Sequence, residues 1–243
     1  MRVLVLSDIH SNASALDAVL EKAGSFDEVW QLGDVVGYGP DPDAVVVRLR
    51  GVGAAGVRGN HDAAALGDLA TSDFNSYARE AVEWTARTMD RASREWLAAL
   101  PETAARDDIG LRHASYRDPV WEYITSSSIA GDSLAIVEAE GLAVGLFGHT
   151  HLPAVFADLD GRVVATSPSD GTRVALDGHR ALLNPGSVGQ PRDGDPRASF
   201  MLLDTERREA TWRRVRYDIA AVQARFRRAG LPERLATRLD HGH

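Results

Sequence analysis

The sequence contains five short clusters of histidine, aspartate and asparagine, most of them beside a glycine. They are Asp8-Ile9-His10, Gly33-Asp34, Gly59-Asn60-His61-Asp62, Leu111-Arg112-His113 and Gly148-His149-Thr150-His151. Neutral imidazole, carboxylate and amide oxygen are the ligands expected of a borderline or hard divalent cation, such as manganese, iron, zinc, cobalt or nickel. The chain has no cysteine, which excludes a thiolate metal site and a cysteine nucleophile. The residue types therefore indicate a metal centre with nitrogen and oxygen ligands.

The clusters offer more ligands than one ion needs, and this excess predicts two metal ions. In two-metal hydrolysis the ions hold a bridging hydroxide as nucleophile and neutralise the oxygens of a phosphate under in-line attack. Such a pair also requires a bridging carboxylate, for which Asp34 is the natural candidate. Each cluster alone is a weak signal, and it is the ordered combination that favours this chemistry.

Most of the clusters lie at or just after the end of a predicted strand. Apolar runs predict strands over residues 2–7, 28–32, 53–58, 109–113 and 143–147, and helical periodicity predicts helices over 12–23 and 42–50. Alternating strands and helices indicate a parallel or mixed sheet with helices on its faces. Because the carboxyl ends of such strands converge on one crevice, we expect the clusters to lie close together.

The rest of the chain is predicted to extend this unit within a single domain spanning residues 1–243. A helical stretch of two helices over about 63–100 places Phe74, Tyr77, Ala81 and Trp84 on one face. We expect this face to pack on the core or on a dimer partner, and a substrate-binding stripe is the less favoured alternative. Beyond it we predict a helix over 131–139, strands over 154–159, 161–166, 172–176, 200–204 and 210–215, and a final helix over 219–228.

Charge is distributed unevenly along the 243 residues, whose net charge is −8. Ten arginines and five acids lie between residues 205 and 243, and the remainder of the chain is acidic. An acidic body argues against binding long nucleic acid through its phosphates. For the arginine-rich segment, a solvated helix face or edge-strand protection is favoured over a docking site for an acidic partner. No signal peptide or membrane-spanning run is found, so we expect a cytoplasmic protein.

In their order, the five clusters resemble the motifs of the calcineurin-like metallophosphoesterases. Within that superfamily the runs at 33–40 (GDVVGYGP) and 184–189 (NPGSVG) are similar to the small prokaryotic predicted phosphoesterases of the YfcE-like kind. The resemblance covers residues 1 to about 204. It implies an α/β fold in four layers, with a β-sandwich of two mixed sheets flanked by helices.

The resemblance also implies roles for individual residues. One metal ion would be held by Asp8, His10, Asp34 and His151, and the second by Asp34, Asn60, His113 and His149. The metal would be manganese, with iron, zinc, cobalt or nickel as alternatives. His61 would lie over the ions, contact phosphate and protonate the leaving oxygen. Asp62 would orient His61 through its second ring nitrogen and raise the imidazole pKa.

Several further residues are candidates for substrate binding. Arg192 could supply a bidentate phosphate contact, and Asn12 could either bind substrate or only cap a helix. Tyr38, with Tyr116 and Trp121, could form a stacking rim for a base, although aromatic residues in loops more often pack. The helical stretch over 63–100 could roof the site and favour small substrates.

The expected function is metal-dependent hydrolysis of a small phosphoester or nucleotide, by direct attack of a metal-bridging hydroxide. The alternative from another class is a catalytically silent, protein-binding scaffold on the same fold. Within the enzyme class, a phosphoprotein phosphatase and a dinucleoside polyphosphate hydrolase are also open, as are the choice between monoester and diester and the oligomeric state.

Overall fold

A computed structural model describes residues 1–176 and 178–243. Two six-stranded mixed sheets pack against each other, and helices cover their outer faces. The strands are β1 (Arg2–Leu6), β2 (Glu28–Gln31), β3 (Ala55–Gly56), β4 (Thr103–Arg106), β5 (Ile109–Arg112), β6 (Val144–Leu146), β7 (Ala154–Leu159), β8 (Arg162–Thr166), β9 (Arg173–Ala175), β10 (Ala181–Asn184), β11 (Ala198–Asp204) and β12 (Glu209–Val215). This arrangement confirms the predicted sandwich of two mixed sheets.

Helices connect these strands and close the two outer faces. They are α1 (Ala13–Ala23), α2 (Pro42–Gly51), α3 (Asn60–Leu66), α4 (Ser76–Thr88), α5 (Arg91–Ala98), α6 (Ser127–Ala139), α7 (Ile219–Ala229) and α8 (Glu233–Thr237), followed by a 3-10 turn at Arg238–Asp240. Within the described residues, none of these helices is long and apolar enough to span a membrane.

The first sheet has the strand order β3-β2-β1-β11-β12-β9. Its central strand β1 is parallel to β2 and antiparallel to β11. Leu4 and Leu6 pack under the helices, whereas Val3 and Val5 point into the layer between the sheets. A strand buried on both faces needs apolar residues at every position, which explains the unbroken apolar run at the start of the sequence.

The second sheet has the order β4-β5-β6-β10-β7-β8, in which β5, β6 and β10 run parallel. Its inner face meets the first sheet in a core that includes Leu111, Leu146 and Trp212. The indole N–H of Trp212 donates to the Asn184 carbonyl at 2.8 Å, so this large buried ring keeps a polar partner. Helix α6 covers the outer face. The two sheets thus share one apolar layer that fixes their relative position.

The helical stretch between β3 and β4 differs from its prediction. It contains three helices rather than two, and the first begins at Asn60, inside the third cluster. Helix α4 buries Ala78, Ala81 and Val82, whereas Tyr77 is 39% exposed. Phe74 precedes the helix and is buried. Phe74 and Ala81 thus pack on the core as predicted, and Trp84 packs against it, but the predicted face was wrong at Tyr77. Phe74 lies outside the helix because Asn75 caps its start.

Candidate metal centre

The five clusters meet at one end of the sandwich, where the strands that carry them finish. Asp8 and His10 follow β1, Asp34 follows β2, and Asn60 begins α3 just after β3, all on the first sheet. His113 follows β5, and His149 and His151 follow β6, all on the second sheet. Each sheet therefore contributes side chains to a single centre, as the strand pattern predicts.

The first group of candidate ligands consists of Asp8, His10 and His151. The Nε2 atoms of the two imidazoles lie 3.1 Å apart. Asp8 Oδ1 lies 3.3 Å from His151 Nε2 and 3.9 Å from His10 Nε2. All three side chains are buried. Their facing ligand atoms are close enough to bind one common ion.

The second group consists of Asn60, His113 and His149. His113 Nε2 lies 3.1 Å from Asn60 Oδ1 and 3.1 Å from His149 Nδ1. These side chains are also buried. With Asp34, the two histidines form another set able to hold a metal ion.

Asp34 lies between the two groups. Its Oδ2 atom is 3.6 Å from His10 Nε2 and 3.3 Å from His113 Nε2. Its Oδ1 atom accepts the backbone N–H of His61 at 2.9 Å. The backbone contact fixes the carboxylate, and Oδ2 is left facing both groups.

The hydrogen bonds of the four histidines determine which ring nitrogens are free. A backbone carbonyl can only accept, so the ring nitrogen facing it carries the proton. The contacts are His10 Nδ1 to Val36 O (3.1 Å), His113 Nδ1 to Leu32 O (2.8 Å), His151 Nδ1 to Gln190 O (2.6 Å) and His149 Nε2 to Trp121 O (3.0 Å). In each ring the other nitrogen points into the centre, as in metal-binding histidines.

Asp8 shows the same division between a fixed and a free atom. Its Oδ2 accepts hydrogen bonds from the Ser7 hydroxyl at 2.6 Å and from the backbone N–H of His149 at 3.1 Å. Its Oδ1 is buried and finds no hydrogen-bond donor among the described residues. A buried carboxylate oxygen without a donor is costly in the protein alone, and it fits a site built for a cation.

Burial sets the charge state of most groups in the centre. It lowers the pKa of His10 and His151 well below the usual value and that of His149 to about 3, so these rings are neutral, as metal ligands must be. Burial also raises the pKa of Asp8 to about 7.

Asp34 and His113 form the exception. Burial is the largest single effect and opposes the charge of both groups, but their attraction to each other outweighs it together with the neighbouring charges and hydrogen bonds. Asp34, with a smaller contribution from Asp8, raises the pKa of His113 to about 9, and His113 with His61 and His10 holds the pKa of Asp34 below its usual value. In the metal-free protein a proton on His113 thus balances the Asp34 carboxylate, and a bound cation would replace that proton.

The backbone around the centre adopts conformations that are unusual for residues other than glycine. Five of the seven candidate ligands have positive φ: Asp8 (52°), His10 (48°), Asp34 (52°), His149 (65°) and His151 (61°). Left-handed conformations at such residues persist only where the surroundings enforce them, and they are concentrated at functional sites. The strain shows that the fold holds these side chains in place at a conformational cost.

The run at 184–189 supplies part of that enforcement. The N–H groups of Val188 and Gly189 donate to the carbonyls of Ser7 and Asp8, both at 3.0 Å. The Ser187 hydroxyl donates to the Asp8 carbonyl at 2.8 Å. These bonds fix the turn that carries Asp8.

Glycine is required at Gly59 and Gly33 because the backbone there touches the centre. A Cβ at Gly59 would lie 2.2 Å from Asp34 Oδ1, and one at Gly33, whose φ is +87°, would lie 2.8 Å from His113 Nδ1. Both contacts are shorter than real side chains tolerate. The glycines of the motifs thus allow the ligand-bearing loops to approach one another.

His61 lies beside the two groups, but the structure corrects the role of Asp62. The ring centroid of His61 is 4.9 Å from that of His10 and 4.4 Å from that of Tyr38. Its Nδ1 is buried with no hydrogen-bond partner in the described part of the chain. The Asp62 carboxylate instead accepts the N–H groups of Val36 (2.9 Å) and Gly59 (3.0 Å).

The reason is local geometry: consecutive residues in the first turn of a helix point in different directions. Asp62 is the third residue of α3, and its carboxylate caps the helix by accepting the backbone N–H of Gly59, the N-cap residue. The predicted orientation of His61 by Asp62 was therefore wrong. Burial lowers the pKa of His61 to about 4, which also contradicts the predicted increase.

Two of the three candidate substrate-binding residues lie next to His61. Tyr38 packs on its ring, and Arg192 Nη2 is 3.4 Å from the Tyr38 hydroxyl. Asn12 is different, because both ends of its side-chain amide bond to the backbone. Its Oδ1 caps α1 at Ala15 N and its Nδ2 donates to Gly189 O. The structure thus favours the capping role for Asn12.

The aromatic residues around the centre are only partly those predicted. Tyr116 is buried against Gly110 and Gly145 in the second sheet and forms no rim. Trp121 does reach the centre: its backbone carbonyl accepts the hydrogen bond of His149 Nε2, and its ring packs on that of Phe74. Tyr123, which stacks on His149 at 3.9 Å, was missed as a residue of the centre. Phe74, on the face for which substrate binding was the less favoured alternative, lies edge-on to His61 at 4.8 Å. The cluster of aromatic residues after His113 was the available signal for Tyr123.

Comparison with known proteins agrees with this geometry. The family model of the calcineurin-like phosphoesterase superfamily domain matches residues 1–208 of the sequence. A crystal structure of a metallophosphoesterase from Sphaerobacter thermophilus is 40% identical, covers 100% of this chain and 99% of its own, and has a TM-score of 0.91. The uncharacterized protein MJ0912 from Methanocaldococcus jannaschii is 32% identical over 99% of this chain and 98% of its own.

A third relative shares the fold at lower identity. The hypothetical protein PH1004 from Pyrococcus horikoshii OT3 is 21% identical with a TM-score of 0.79, over 100% of this chain and 98% of its own. The family match spans the strands and loops that bring the buried histidines and aspartates together. This chain therefore belongs to the calcineurin-like phosphoesterase superfamily, and it is a metal-dependent phosphoester hydrolase.

Proposed function

We propose that the centre binds two divalent metal ions and hydrolyses small phosphoesters or nucleotides. The first ion is assigned to Asp8, His10, Asp34 and His151, and the second to Asp34, Asn60, His113 and His149. Manganese is the proposed metal. The observation that carries the proposal is the position of Asp34 Oδ2, within 3.6 Å of a free imidazole nitrogen in each group.

When bound, a pair of ions supplies an activated water and neutralises phosphate oxygens. The protein contributes positioning. Imidazoles anchored on backbone carbonyls hold fixed lone pairs, and the contacts that enforce the strained turns hold the ligand-bearing residues in place.

We assign proton transfer to the leaving oxygen to His61. Its ring lies against His10 but carries no carbonyl anchor on Nδ1 among the described residues. Arg192 is assigned to a non-bridging phosphate oxygen, because it lies at the hydroxyl of Tyr38 and Tyr38 covers His61. A guanidinium can donate to one or two phosphate oxygens without giving up a proton.

The helical segment from α3 to α5 limits the substrate to small molecules in this proposal. Phe74 closes the side of the centre beside His61 and packs on Trp121 at 5.1 Å. Long nucleic acid is also disfavoured by the net charge of −8.

Turnover of model esters tests the proposal. We expect protein loaded with Mn²⁺ to release p-nitrophenol from bis(p-nitrophenyl) phosphate or p-nitrophenyl phosphate, and metal-free protein to release none. A panel of nucleotides, dinucleoside polyphosphates and phosphopeptides then separates the substrate classes. Failure of the loaded protein to cleave any of these esters would refute the proposed activity.

A further inference from the structure

Six rings in mutual contact form an arc along one side of the metal centre, here called the aromatic arc. In order they are Tyr38, His61, Phe74, Trp121, His149 and Tyr123, with 4.4, 4.8, 5.1, 6.4 and 3.9 Å between the centroids of successive rings. The arc begins after β2 on the first sheet and ends in the loop between β5 and α6 on the second. Because His149 is itself a candidate ligand and His61 packs on His10, the arc is a wall of the centre.

Tyr123 is the exposed end of the aromatic arc. Its side chain is 43% exposed, whereas Tyr38 and Phe74 are buried and Trp121 is partly buried. The ring stacks on His149 with an angle of 17° between the two planes. Since His149 covers one face of the ring, the exposed surface belongs to the other face and the edge. A free aromatic face beside a metal centre is a binding surface for another planar ring.

The loop that carries Tyr123 is fixed by its own hydrogen bonds. The Ser115 N–H donates to the Glu122 carbonyl at 3.1 Å. The Glu122 carboxylate accepts the Ser115 hydroxyl at 2.6 Å and Arg117 Nε at 3.1 Å, so the acid between Trp121 and Tyr123 is already neutralised. The Trp121 carbonyl anchors His149 Nε2 at 3.0 Å. The ring is therefore held in place before a ligand arrives, which lowers the ordering cost of binding.

The two ends of the aromatic arc differ in chemistry. At the Tyr38 end, Arg192 Nη2 lies 3.4 Å from the tyrosine hydroxyl and supplies the proposed phosphate contact. At the other end, Tyr123 lies one ring away from a proposed metal ligand, His149. In a nucleotide a single sugar separates the phosphate from the base, and this spacing suits a phosphate at the centre with a base on Tyr123.

We propose that Tyr123 stacks on the nucleobase of a nucleotide whose phosphate lies at the metal centre, and thereby selects nucleotides over other small phosphoesters. Every base has an aromatic face, so a stacking surface favours nucleotides as a class over one particular base. This inference rests on the proposed function and narrows its substrate class.

A matched pair of substrates tests the inference. Adenosine 5′-monophosphate is compared with methyl ribofuranoside 5-phosphate, in which a methoxy group replaces the base and the scissile bond is the same. On protein loaded with Mn²⁺ we expect kcat/KM for the nucleotide to be higher by about tenfold, a modest gain for one base stacked on an aromatic side chain. Equal values for the two substrates would overturn the proposal.

Three variants locate the effect at the Tyr123 ring. Tyr123→Leu should move the ratio of the two kcat/KM values toward one, whereas Tyr123→Phe keeps a ring and should keep the ratio. Tyr77→Leu is the matched control, because Tyr77 is a 39% exposed tyrosine of α4 outside the aromatic arc, and it should leave the ratio unchanged. If Tyr123→Leu lowers both kcat/KM values by the same factor, the ring only supports His149 and the proposal fails.

A binding measurement separates this inference from the proposed function. Both compounds are titrated calorimetrically into Mn²⁺-loaded His61→Ala protein, in which turnover is expected to be slow, with and without Tyr123→Leu. Tighter binding of the nucleotide that Tyr123→Leu abolishes supports the stacking surface even if the wild type hydrolyses no ester, in which case only the proposed function fails. Equal affinities for the two compounds, or no binding of the nucleotide, would overturn the inference while leaving any observed hydrolysis in place.

Discussion

The histidines of the centre are of two kinds. His10, His113, His149 and His151 each have one ring nitrogen fixed on a backbone carbonyl, and their other nitrogens face one another in pairs. His61 has no such anchor on Nδ1 in the described part of the molecule. An anchored ring can bind a metal ion with a fixed lone pair, whereas an unanchored ring can exchange a proton with substrate.

This distinction predicts how His61→Ala behaves. We expect kcat to decrease by about 10²- to 10⁴-fold, the usual contribution of a proton donor or acceptor, with unchanged metal content. The loss should be greater for an alkyl phosphate than for a p-nitrophenyl ester, because nitrophenolate leaves without a proton. Equal losses for the two esters would contradict the assigned role, and elemental analysis checks that metal is retained.

Asp62→Asn should act on stability. Each Asp62 oxygen accepts a backbone N–H, and asparagine offers an oxygen to only one of them. We expect the free energy of unfolding to decrease by about 1–3 kcal/mol, since one buried donor loses its partner. Urea denaturation measures the change. The control is Asp73→Asn, the same substitution at an exposed position. Unchanged stability with a large loss of kcat would instead favour a direct catalytic role.

The loops and helices that carry these residues show what the sequence reveals and what it does not. Strands β1 and β2 and helix α1 were predictable, because each has an apolar run, short in β2, or a regular apolar face. Strand β4 (Thr103–Arg106) was not, since it is an exposed edge strand without apolar alternation, and the short buried run of β10 was also missed.

The candidate ligands could be predicted because their residue types and order are specific. Their anchors could not, since Val36, Leu32, Gln190 and Trp121 contribute backbone carbonyls that any residue type carries. The role of Asp62 was also hidden. Its partner Val36 is distant along the chain and becomes a neighbour only in the folded protein.

A substitution at Phe74 tests whether the helical segment from α3 to α5 restricts the size of the substrate. We expect Phe74→Ala to increase the rate on a bulky phosphodiester relative to a small phosphomonoester, because the ring lies edge-on to His61 at 4.8 Å. Val82→Ala is the control, since it removes buried volume from α4. A substrate profile that Phe74→Ala leaves unchanged would show that this segment does not restrict access.

The whole molecule is two sheets joined by an apolar layer at their faces and by the metal centre at one end. Asp8, His10, Asp34 and Asn60 belong to the first sheet, and His113, His149 and His151 to the second. Ions bound there would connect the sheets directly. They would also balance buried carboxylates in a molecule whose net charge is −8.

Metal removal should therefore destabilise the entire fold. An ion that binds only the folded state contributes about 2.7 kcal/mol when its free concentration is 100 times its Kd, which corresponds to roughly 5–10 °C in Tm for a domain of this size. We expect chelation with EDTA to lower Tm by this order in calorimetry, and Asp34→Asn to show a smaller difference between its loaded and metal-free forms. A Tm that is indifferent to metal would contradict the view that the centre connects the two sheets.

Metal stoichiometry decides between one ion and two. Wild-type protein, reconstituted with Mn²⁺ and freed of unbound ion, is analysed for manganese per chain beside His151→Ala, His113→Ala and Asp34→Asn. We expect two ions in the wild type, about one in each histidine variant because each loses a ligand of only one ion, and weakened binding of both ions in Asp34→Asn. A single ion per fully loaded wild-type chain would contradict the two-metal centre.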